Sequence, residues 1–136
     1  MKTLITGASR GIGFALTAEA LQRGHSVIAV ARNTETLKPL ERDYQSRLSI
    51  LQADVSEASG RDAVAKEVAK IGTLDTLINN AGVLVKSESA EDFQVSFNLN
   101  AFVPFEMVRL LLPVLKKSKE PRVVQISTLM SSIEDN

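Results

Sequence analysis

The sequence predicts an α/β fold, a doubly wound parallel sheet of about five strands, on three observations. Short apolar runs recur at regular intervals, and stretches with apolar residues three and four positions apart separate them. A glycine-rich loop joins the first apolar run directly to the first helical stretch. Alternating strands and helices are typical of parallel sheets, and right-handed crossovers give the strand order 3-2-1-4-5.

The predicted strands are short and nearly continuously apolar, which is expected of strands buried on both faces of a sheet. They are Lys2–Thr6, Ser26–Arg32, Leu48–Ala53, Leu74–Asn79 and Arg122–Ser127. The fifth strand would lie at an edge, where unpaired main-chain groups favour pairing with another chain. We therefore expect association of this chain, as a homo-oligomer.

The helices are predicted from apolar spacing between these strands. The stripes that define three of them are Phe14/Ala18/Leu21, Val64/Val68/Ile71 and Val103/Met107/Leu110/Val114. Ser56 is a candidate N-cap ahead of the second stripe. The third stripe belongs to a long helix that starts near Glu91 and contains two prolines, which must kink or interrupt it. The weakest prediction is a helix over Asn33–Gln45, because Pro39 lies inside it.

The composition argues against several classes of function. Lys and Arg number 16 and Asp and Glu number 16 among 136 residues, so the chain lacks the basic excess of a nucleic-acid binder. It has no Cys and one histidine, His25, so neither disulfides nor thiolate or multi-histidine metal sites are expected. No uninterrupted apolar run reaches the roughly 18 residues of a membrane helix. We expect a single soluble, cytoplasmic domain over residues 1–136, without bound metal, nucleic acid or membrane.

The loop T-G-A-S-R-G-I-G at residues 6–13 has the features of a phosphate-binding turn. Gly7 permits a tight turn, Gly11 lets the main chain approach a pyrophosphate, and Gly13 lets the helix pack closely on the strand. The N–H groups and the positive dipole at the start of the helix attract the anion. The cofactor-binding residues predicted on this loop are Gly7, Ser9, Arg10, Gly11, Ile12 and Gly13.

The residue after the second strand selects the nucleotide. In dinucleotide-binding folds an Asp or Glu about 20 residues beyond the loop binds the ribose hydroxyls of NAD, and this chain has Arg32 there. A guanidinium forms a charge-assisted contact with a 2′-phosphate, and Arg10 can reach the same group. We therefore expect NADP(H) rather than NAD(H) as the cofactor.

Five stretches, in order along the chain, resemble the short-chain dehydrogenase/reductase family. They are T-G-A-S-R-G-I-G, Asp54-Val55, N-N-A-G at 79–82, Asn100, and V-V-Q-I-S-T at 123–128. The resemblance covers essentially the whole chain and implies a Rossmann-like fold. Asp92-Phe93 and residues 130–133 look most like the small carbonyl-reductase-like branch of that family.

The resemblance implies roles for residues beyond the glycine loop. Asp54 would accept a hydrogen bond from the adenine amino group, and Val55 would offer its main chain. Asp54 is also explained as a turn residue or a helix N-terminal charge, and both interpretations can hold together. The residues expected beside the adenosine ribose are Asn80, Ala81 and Gly82. Asn79 and Asn80 can equally tie the fourth strand to its neighbours.

The family transfers hydride between nicotinamide and a carbonyl or alcohol. A Tyr acts as acid or base beside a Lys, a Ser hydroxyl holds the substrate oxygen, and an Asn orients a water. Asn100 matches this Asn, with Asn98 as the alternative. Thr128 stands where the family usually has Ser and keeps the hydroxyl. The fallback candidates for that hydroxyl are Ser127, Ser131 and Ser132.

The Tyr-x-x-x-Lys pair of the family has no match in these 136 residues. The one tyrosine, Tyr44, has Leu48 four positions on. We therefore expect the chain to be the cofactor-binding part of a reductase, truncated after the fifth strand, as a fragment or naturally. A module that holds NADP(H) without turnover is the alternative. A third reading is an interaction protein in which the motifs are relics.

Overall fold

A computed structural model describes residues 1–85 and 89–128 and confirms the predicted sheet. Its five parallel strands have the order β3-β2-β1-β4-β5. They are β1 (Lys2–Thr6), β2 (Ser26–Ala31), β3 (Leu48–Gln52), β4 (Thr76–Asn79) and β5 (Arg122–Gln125). In the register at the centre of the sheet, Leu4 lies between Ile28 and Leu77.

The helices lie between the strands, as the alternation predicts. They are α1 (Gly11–Gln22), α2 (Lys38–Asp43), α3 (Ala58–Ile71), α4 (Ala90–Phe97) and α5 (Val103–Leu115). A turn of 3-10 helix, Glu35–Leu37, precedes α2, so the single helix predicted over Asn33–Gln45 is wrong in its extent. Pro39 lies in the first turn of α2, where its missing N–H removes no helical hydrogen bond.

The sheet separates two apolar layers. Along β2, alternate residues face opposite sides: Ile28 and Val30 pack with α3 and α5, whereas Val27 and Ala29 pack with Leu21 of α1. Each of these strand residues is at most 5% exposed. The central strands are therefore buried on both faces, which is what their continuous apolar sequence predicts.

The buried face of α1 differs from the predicted stripe. Its buried residues are Gly13, Thr17 and Leu21, whereas Phe14 and Ala18 are only half-buried. The Thr17 hydroxyl donates to the Gly13 carbonyl over 2.8 Å, which satisfies it inside the layer. Apolar spacing missed this face because small and hydroxyl-bearing residues, rather than large apolar ones, bring α1 close to the sheet.

Three further details of the helix predictions need correction. Ser56 is not the N-cap of α3, because Glu57 precedes that helix and the Ser56 hydroxyl donates to Asp54 Oδ1. In α5, Val103, Met107 and Val114 are buried as predicted, but Leu111 is buried in place of Leu110, which is half-buried. Ile71, the last member of the α3 stripe, is 37% exposed.

The chain from Ala90 to Leu115 is one continuous helix, because the π-helical segment Asn98–Phe102 joins α4 to α5. By length and composition alone this helix could cross a membrane. It escaped the sequence-based prediction because polar residues interrupt every apolar run in the helix. Its α5 part packs on the sheet through five buried residues. Its outer face carries the stacked rings of Phe93 and Phe97, whose centroids are 6.2 Å apart.

β5 forms one edge of the sheet. Among the described residues it pairs only with β4, and all four of its residues are exposed. Val123 and Val124 are 44% and 38% exposed, unlike the apolar residues of β1 and β2. The predicted exposed edge is confirmed within the described part of the chain.

Candidate functional site

A cleft of about 1190 Å³ opens at the carboxyl ends of the strands. It lies where the strand order reverses, since the chain crosses from β1 to β2 on one side and returns through β4 on the other. In open α/β sheets ligands bind at this position. The cofactor-binding residues predicted from the sequence that line it are Gly7, Ser9, Arg10, Gly11, Ile12, Arg32, Asp54, Val55, Asn80, Ala81 and Gly82.

The glycine loop has the backbone geometry of an anion cradle. Gly7 and Gly11 have φ of +67° and +54°, a region that residues with a side chain rarely adopt. α1 begins at Gly11 without a side-chain cap at Arg10 and without an acidic residue in its first turn. Its first N–H groups and its dipole are therefore available to an anion in the cleft.

Gly13 lies beneath the cleft rather than in its wall. A Cβ at this position would lie 2.2 Å from the Gly7 carbonyl oxygen and 2.4 Å from Asn80 Nδ2. These distances are too short for any side chain, so the glycine permits the close packing of α1 on the loop. The structure thus agrees with the packing reason given for Gly13 from the sequence.

Asn80 ties the end of β4 to the glycine loop. Its Nδ2 donates to the carbonyls of Thr6 and Gly7 over 3.0 and 3.1 Å. In return, Thr6 Oγ1 accepts hydrogen bonds from the N–H groups of Asn80 and Ala81, over 3.1 and 3.0 Å. The Asn80 amide is therefore engaged in positioning the loop, one of the two roles that the sequence left open.

Arg32 and Arg10 lie at the β2 end of the cleft, and both are exposed. Two side chains missed by sequence reasoning organise this corner. Thr36 Oγ1 donates to the Ser9 carbonyl over 2.6 Å, and Gln52 Nε2 donates to the Arg32 carbonyl over 3.0 Å. These contacts hold the main chain beside the two arginines, whose guanidinium groups are of the kind that binds a phosphate group.

Asp54 follows β3 and is held as a carboxylate. Its Oδ1 accepts hydrogen bonds from the Ser56 hydroxyl and N–H, over 2.6 and 2.9 Å. The hydroxyl contact is the main reason that the pKa of Asp54 lies below its usual value, and the Arg32 charge adds to it. Asp54 is thus a turn residue and a cleft residue at once. Gly60 lets α3 pack on it, because a Cβ there would meet the Asp54 carbonyl.

The two candidate amides lie in the π-helical segment but make different contacts. Asn98 lines the cleft and donates to the Ser56 carbonyl over 3.2 Å. Asn100 does not line it; its Oδ1 accepts from the Val83 N–H at 2.9 Å, and its Nδ2 donates to the Val83 carbonyl at 2.8 Å. Asn100 therefore clamps the loop after β4, and its assignment as the catalytic amide stays a prediction.

Thr128 follows β5 and is exposed, as is Ser127. Ile126, just before them, lines the cleft, so this exit runs along its β5 side. Ser131 and Ser132 lie outside the described residues, as do residues 130–133 of the branch resemblance. Which hydroxyl would meet a substrate therefore stays a prediction.

A family model described as short chain dehydrogenase matches residues 2–134. The chain is 35% identical over 133 residues to the NADPH-dependent pterin aldehyde reductase of Arabidopsis thaliana, covering 92% of this chain and 55% of the relative. It is 31% identical over 138 residues to the NADP-dependent 3-hydroxy acid dehydrogenase YdfG of Escherichia coli K12, covering 97% and 56%. The NADPH-bound carbonyl reductase from chicken fatty liver superposes with a TM-score of 0.88 at 26% identity, covering 98% of this chain and 62% of that one.

The chain spans about half the length of the curated relatives that it matches. Within that half, the family match, the strand order 3-2-1-4-5 and the glycine cradle at the point where that order reverses agree with one another. The chain belongs to the short-chain dehydrogenase/reductase family of oxidoreductases.

Proposed function

We propose that this chain binds NADP(H) and forms the cofactor-binding part of an enzyme that transfers hydride to a carbonyl or from an alcohol. The observation that carries the proposal is the single cleft that gathers the glycine cradle, the basic corner and the Asp54 turn. The three relatives named above agree with it, since the name of each contains NADPH or NADP and a carbonyl or hydroxyl substrate.

The cleft offers a complementary group for each polar part of the dinucleotide. The start of α1 would hold the pyrophosphate, and Arg32 with Arg10 would hold the 2′-phosphate. Asp54 would accept a hydrogen bond from the adenine amino group, since it lines the same cleft and its lowered pKa keeps the carboxyl ionised. Gly82 would allow the ribose to approach the main chain closely.

Bound NADPH would supply the hydride, and the chain's own residues would position the acceptor. We assign the substrate-oxygen contact to the Thr128 hydroxyl and the water-orienting role to Asn100. Proton transfer also needs an acid such as the family's Tyr, and the 136 residues contain no Tyr-x-x-x-Lys. Residues 1–136 by themselves should therefore bind the cofactor without reducing a carbonyl.

The proposal is tested by two measurements on the 136-residue chain. Titration with NADPH, followed by nicotinamide fluorescence, should give saturable binding that is tighter than the binding of NADH. Absorbance at the nicotinamide band should stay constant when small aldehydes and ketones are added. Saturable binding with turnover would refute the proposal that residues 1–136 are inactive by themselves. No binding to either nucleotide would refute the proposal that the chain binds NADP(H).

A second candidate function is a module that holds NADP(H) without turnover in any context. Thr128 in place of the family's usual Ser favours it. The complete gene product discriminates between the two candidates. Carbonyl reduction by that polypeptide would establish the enzyme, and binding without reduction would establish the module.

We also propose a cytoplasmic homo-oligomer built on a single domain over residues 1–136. The exposed apolar residues of β5 and the outer aromatic face of α4 support association, since apolar patches favour contact with another surface. Sedimentation velocity over a concentration series should detect dimers or larger species. A lysine at Val124 should shift the 136-residue chain toward monomer, whereas a lysine at Ser49, on the β3 edge, should not. A monomer at all concentrations would contradict the proposal.

A further inference from the structure

We propose that Arg61 is a positioning residue for the adenine side of the cleft, which is the part formed by the ends of β1, β2 and β3. It would act by holding residues Asp54–Glu57, the β3–α3 turn, in the conformation that aims the Asp54 carboxylate. The inference rests on the proposed function for the identity of the ligand. The contacts of Arg61 with the turn do not depend on any ligand. Arg61 lies outside the cleft wall and belongs to none of the motifs that identified the site.

Arg61 is unusual because it is a charged residue in an apolar stripe. It shares the buried face of α3 with Val64 and Val68, and it is only 7% exposed. Burying a guanidinium is costly unless its charge and its donors are compensated. A residue of this kind in a core position therefore needs an identifiable set of partners.

Those partners are on the β3–α3 turn and on the long helix. Nη1 of Arg61 donates to the carbonyls of Val55 and Ser56, over 2.8 and 2.9 Å. The guanidinium carbon lies 5.5 Å from the ring centroid of Phe102, within the range of a cation–π contact. The pKa of the Glu106 carboxyl of α5 lies below its usual value mainly because of a hydrogen bond from Arg109, and the positive charge of Arg61 adds to this effect.

The two carbonyls that Arg61 binds belong to peptide groups whose other ends bind Asp54. In a trans peptide the C=O and the following N–H point in opposite directions. The Val55 carbonyl points to Arg61, and the N–H of Ser56 donates to Asp54 Oδ1 at 2.9 Å. The Ser56 carbonyl points to Arg61, and the N–H of Glu57 donates to the Asp54 carbonyl at 3.2 Å.

Arg61 and Asp54 are therefore linked through two hydrogen-bonded peptide groups, of which one ends at the Asp54 carboxylate and the other at the Asp54 main-chain carbonyl. Bonds in such chains polarise and align one another, so the guanidinium fixes both peptide planes and strengthens the N–H contacts to Asp54. Asn98 adds a second donor to the Ser56 carbonyl at 3.2 Å, which joins the π-helical segment to the same turn. Without Arg61, both carbonyls lose their charged donor, and only the Asn98 amide still binds the carbonyl of Ser56.

The test uses the complete gene product with two substitutions at Arg61 and one matched control. Arg61→Met keeps the length of the side chain but removes the charge and donors, whereas Arg61→Lys keeps one nitrogen that can bind both carbonyls. The control is Arg47→Met. Arg47 Nη1 also donates to a main-chain carbonyl, that of Leu21 at 2.7 Å, and its guanidinium also lies over a ring, that of Tyr44 at 5.3 Å.

We expect Arg61→Met to lower the affinity for both NADPH and NADH by roughly tenfold, which is the effect of losing one hydrogen bond to a charged group. Both nucleotides share adenine, so their affinity ratio should be unchanged. Arg61→Lys should restore most of the affinity. Arg47→Met should leave both affinities unchanged, although it removes the same chemistry at the opposite end of the sheet. Amide hydrogen exchange of Ser56 and Glu57 should be faster in Arg61→Met alone.

Three results would overturn the inference: unchanged affinity in Arg61→Met, an equal loss in Arg47→Met, or unchanged exchange at Ser56 and Glu57. If Arg61→Met does not fold, amide exchange and nucleotide affinity are measured in Arg61→Lys instead. Fast exchange at Ser56 and Glu57 in that variant would also overturn the inference. Failure of the unmodified protein to bind either nucleotide would instead refute the proposed function. The exchange measurement would then still decide whether Arg61 holds the turn.

Discussion

The two sides of the cleft differ in how their functional residues are held. On the adenine side, formed by the ends of β1, β2 and β3, the candidate residues have fixed partners such as the Ser56 groups on Asp54 and the Gln52 amide on the Arg32 carbonyl. On the β5 side, the strand that leads to Thr128 is exposed along its whole length. In the proposed function, nucleotide binding and substrate chemistry would therefore depend on parts of the chain that are held to different degrees.

The difference has a physical origin in burial. The strands β1 and β2 have apolar layers on both faces, so their ends are rigid supports for a loop or side chain. The residues of β5 contact β4 on one side and little else among the described residues. A binding site needs only the first kind of support, whereas precise hydride transfer needs both.

The largest expected effect comes from Gly13, which lies under the adenine side. In Gly13→Ala the new Cβ would meet the main chain of Gly7 at 2.2 Å, so α1 or the loop must move. We expect the free energy of unfolding to fall by at least about 3 kcal/mol and NADPH binding to be lost. Chemical denaturation and nucleotide titration measure the two effects.

Gly11→Ala is the control for Gly13→Ala. Gly11 has a positive φ but open space around its Cβ position, so only backbone strain of about 1–2 kcal/mol is expected. Equal destabilisation by the two variants would contradict the packing role of Gly13. That result would also weaken the view that the adenine side is held by close main-chain contacts.

On the β5 side, the sharpest change is at Thr128 in the complete gene product. Thr128→Val keeps the shape and removes the hydroxyl, so we expect the turnover number to fall by about 10²-fold with unchanged NADPH affinity. Thr128→Ser keeps the hydroxyl and should keep most activity. Full activity in Thr128→Val with loss in Ser127→Ala would move the assignment to Ser127.

Specificity for the 2′-phosphate should depend on the adenine side alone. Arg32→Asp removes a charge-assisted contact and adds a repulsive charge, so the preference for NADPH over NADH should be lost or reversed. The lost contact corresponds to about 1.5–3 kcal/mol, or roughly 10–150-fold in the ratio of dissociation constants. Arg42→Asp, on the exposed surface of α2, is the control. An unchanged ratio in Arg32→Asp would refute the assignment.

The sequence predicted the adenine side better than the β5 side, and the reason is the range of the interactions. Gly7, Arg32 and Asp54 are recognised because each follows a strand at a fixed spacing, and the parallel sheet brings strand ends together. The contacts of Thr36 and Asn98 run to main-chain carbonyls 27 and 42 residues away along the chain. Arg61 binds carbonyls only five and six residues before it, but neither apolar spacing nor a motif predicts that a charged side chain turns back to them from a buried position. The buried stripe of α1 was misassigned for a related reason, since Gly13 and Thr17 pack well but are not apolar in a spacing analysis.

The smallest expected effect tests the opposite end of the sheet, where Asp75 joins β1, β4 and the segment before β5. Its carboxylate accepts from the Lys2 N–H at 2.7 Å and from the Ser118 hydroxyl at 2.6 Å. The hydroxyl contact is the main reason that the pKa of Asp75 lies below its usual value. A lowered pKa in the folded state means that the ionised carboxylate stabilises the fold above its ordinary pKa, about 4, and that this stabilisation is lost as the pH falls through the lowered value.

Asp75→Asn should therefore lower the free energy of unfolding at pH 7, by up to about 1 kcal/mol because solvent screens this partly exposed group. The difference from the unmodified protein should shrink as the pH falls from about 4 through the lowered pKa of Asp75, because the carboxyl binds a proton first in the unfolded state and then in the native state. Urea denaturation at several pH values measures this, with Asp62→Asn on the exposed face of α3 as the control. NADPH affinity should not change, because Asp75 lies at the amino ends of the strands and Asp54 at the carboxyl ends. A loss of affinity in Asp75→Asn would show that the two ends of the sheet are coupled, and the adenine side would then not be held by its local contacts alone.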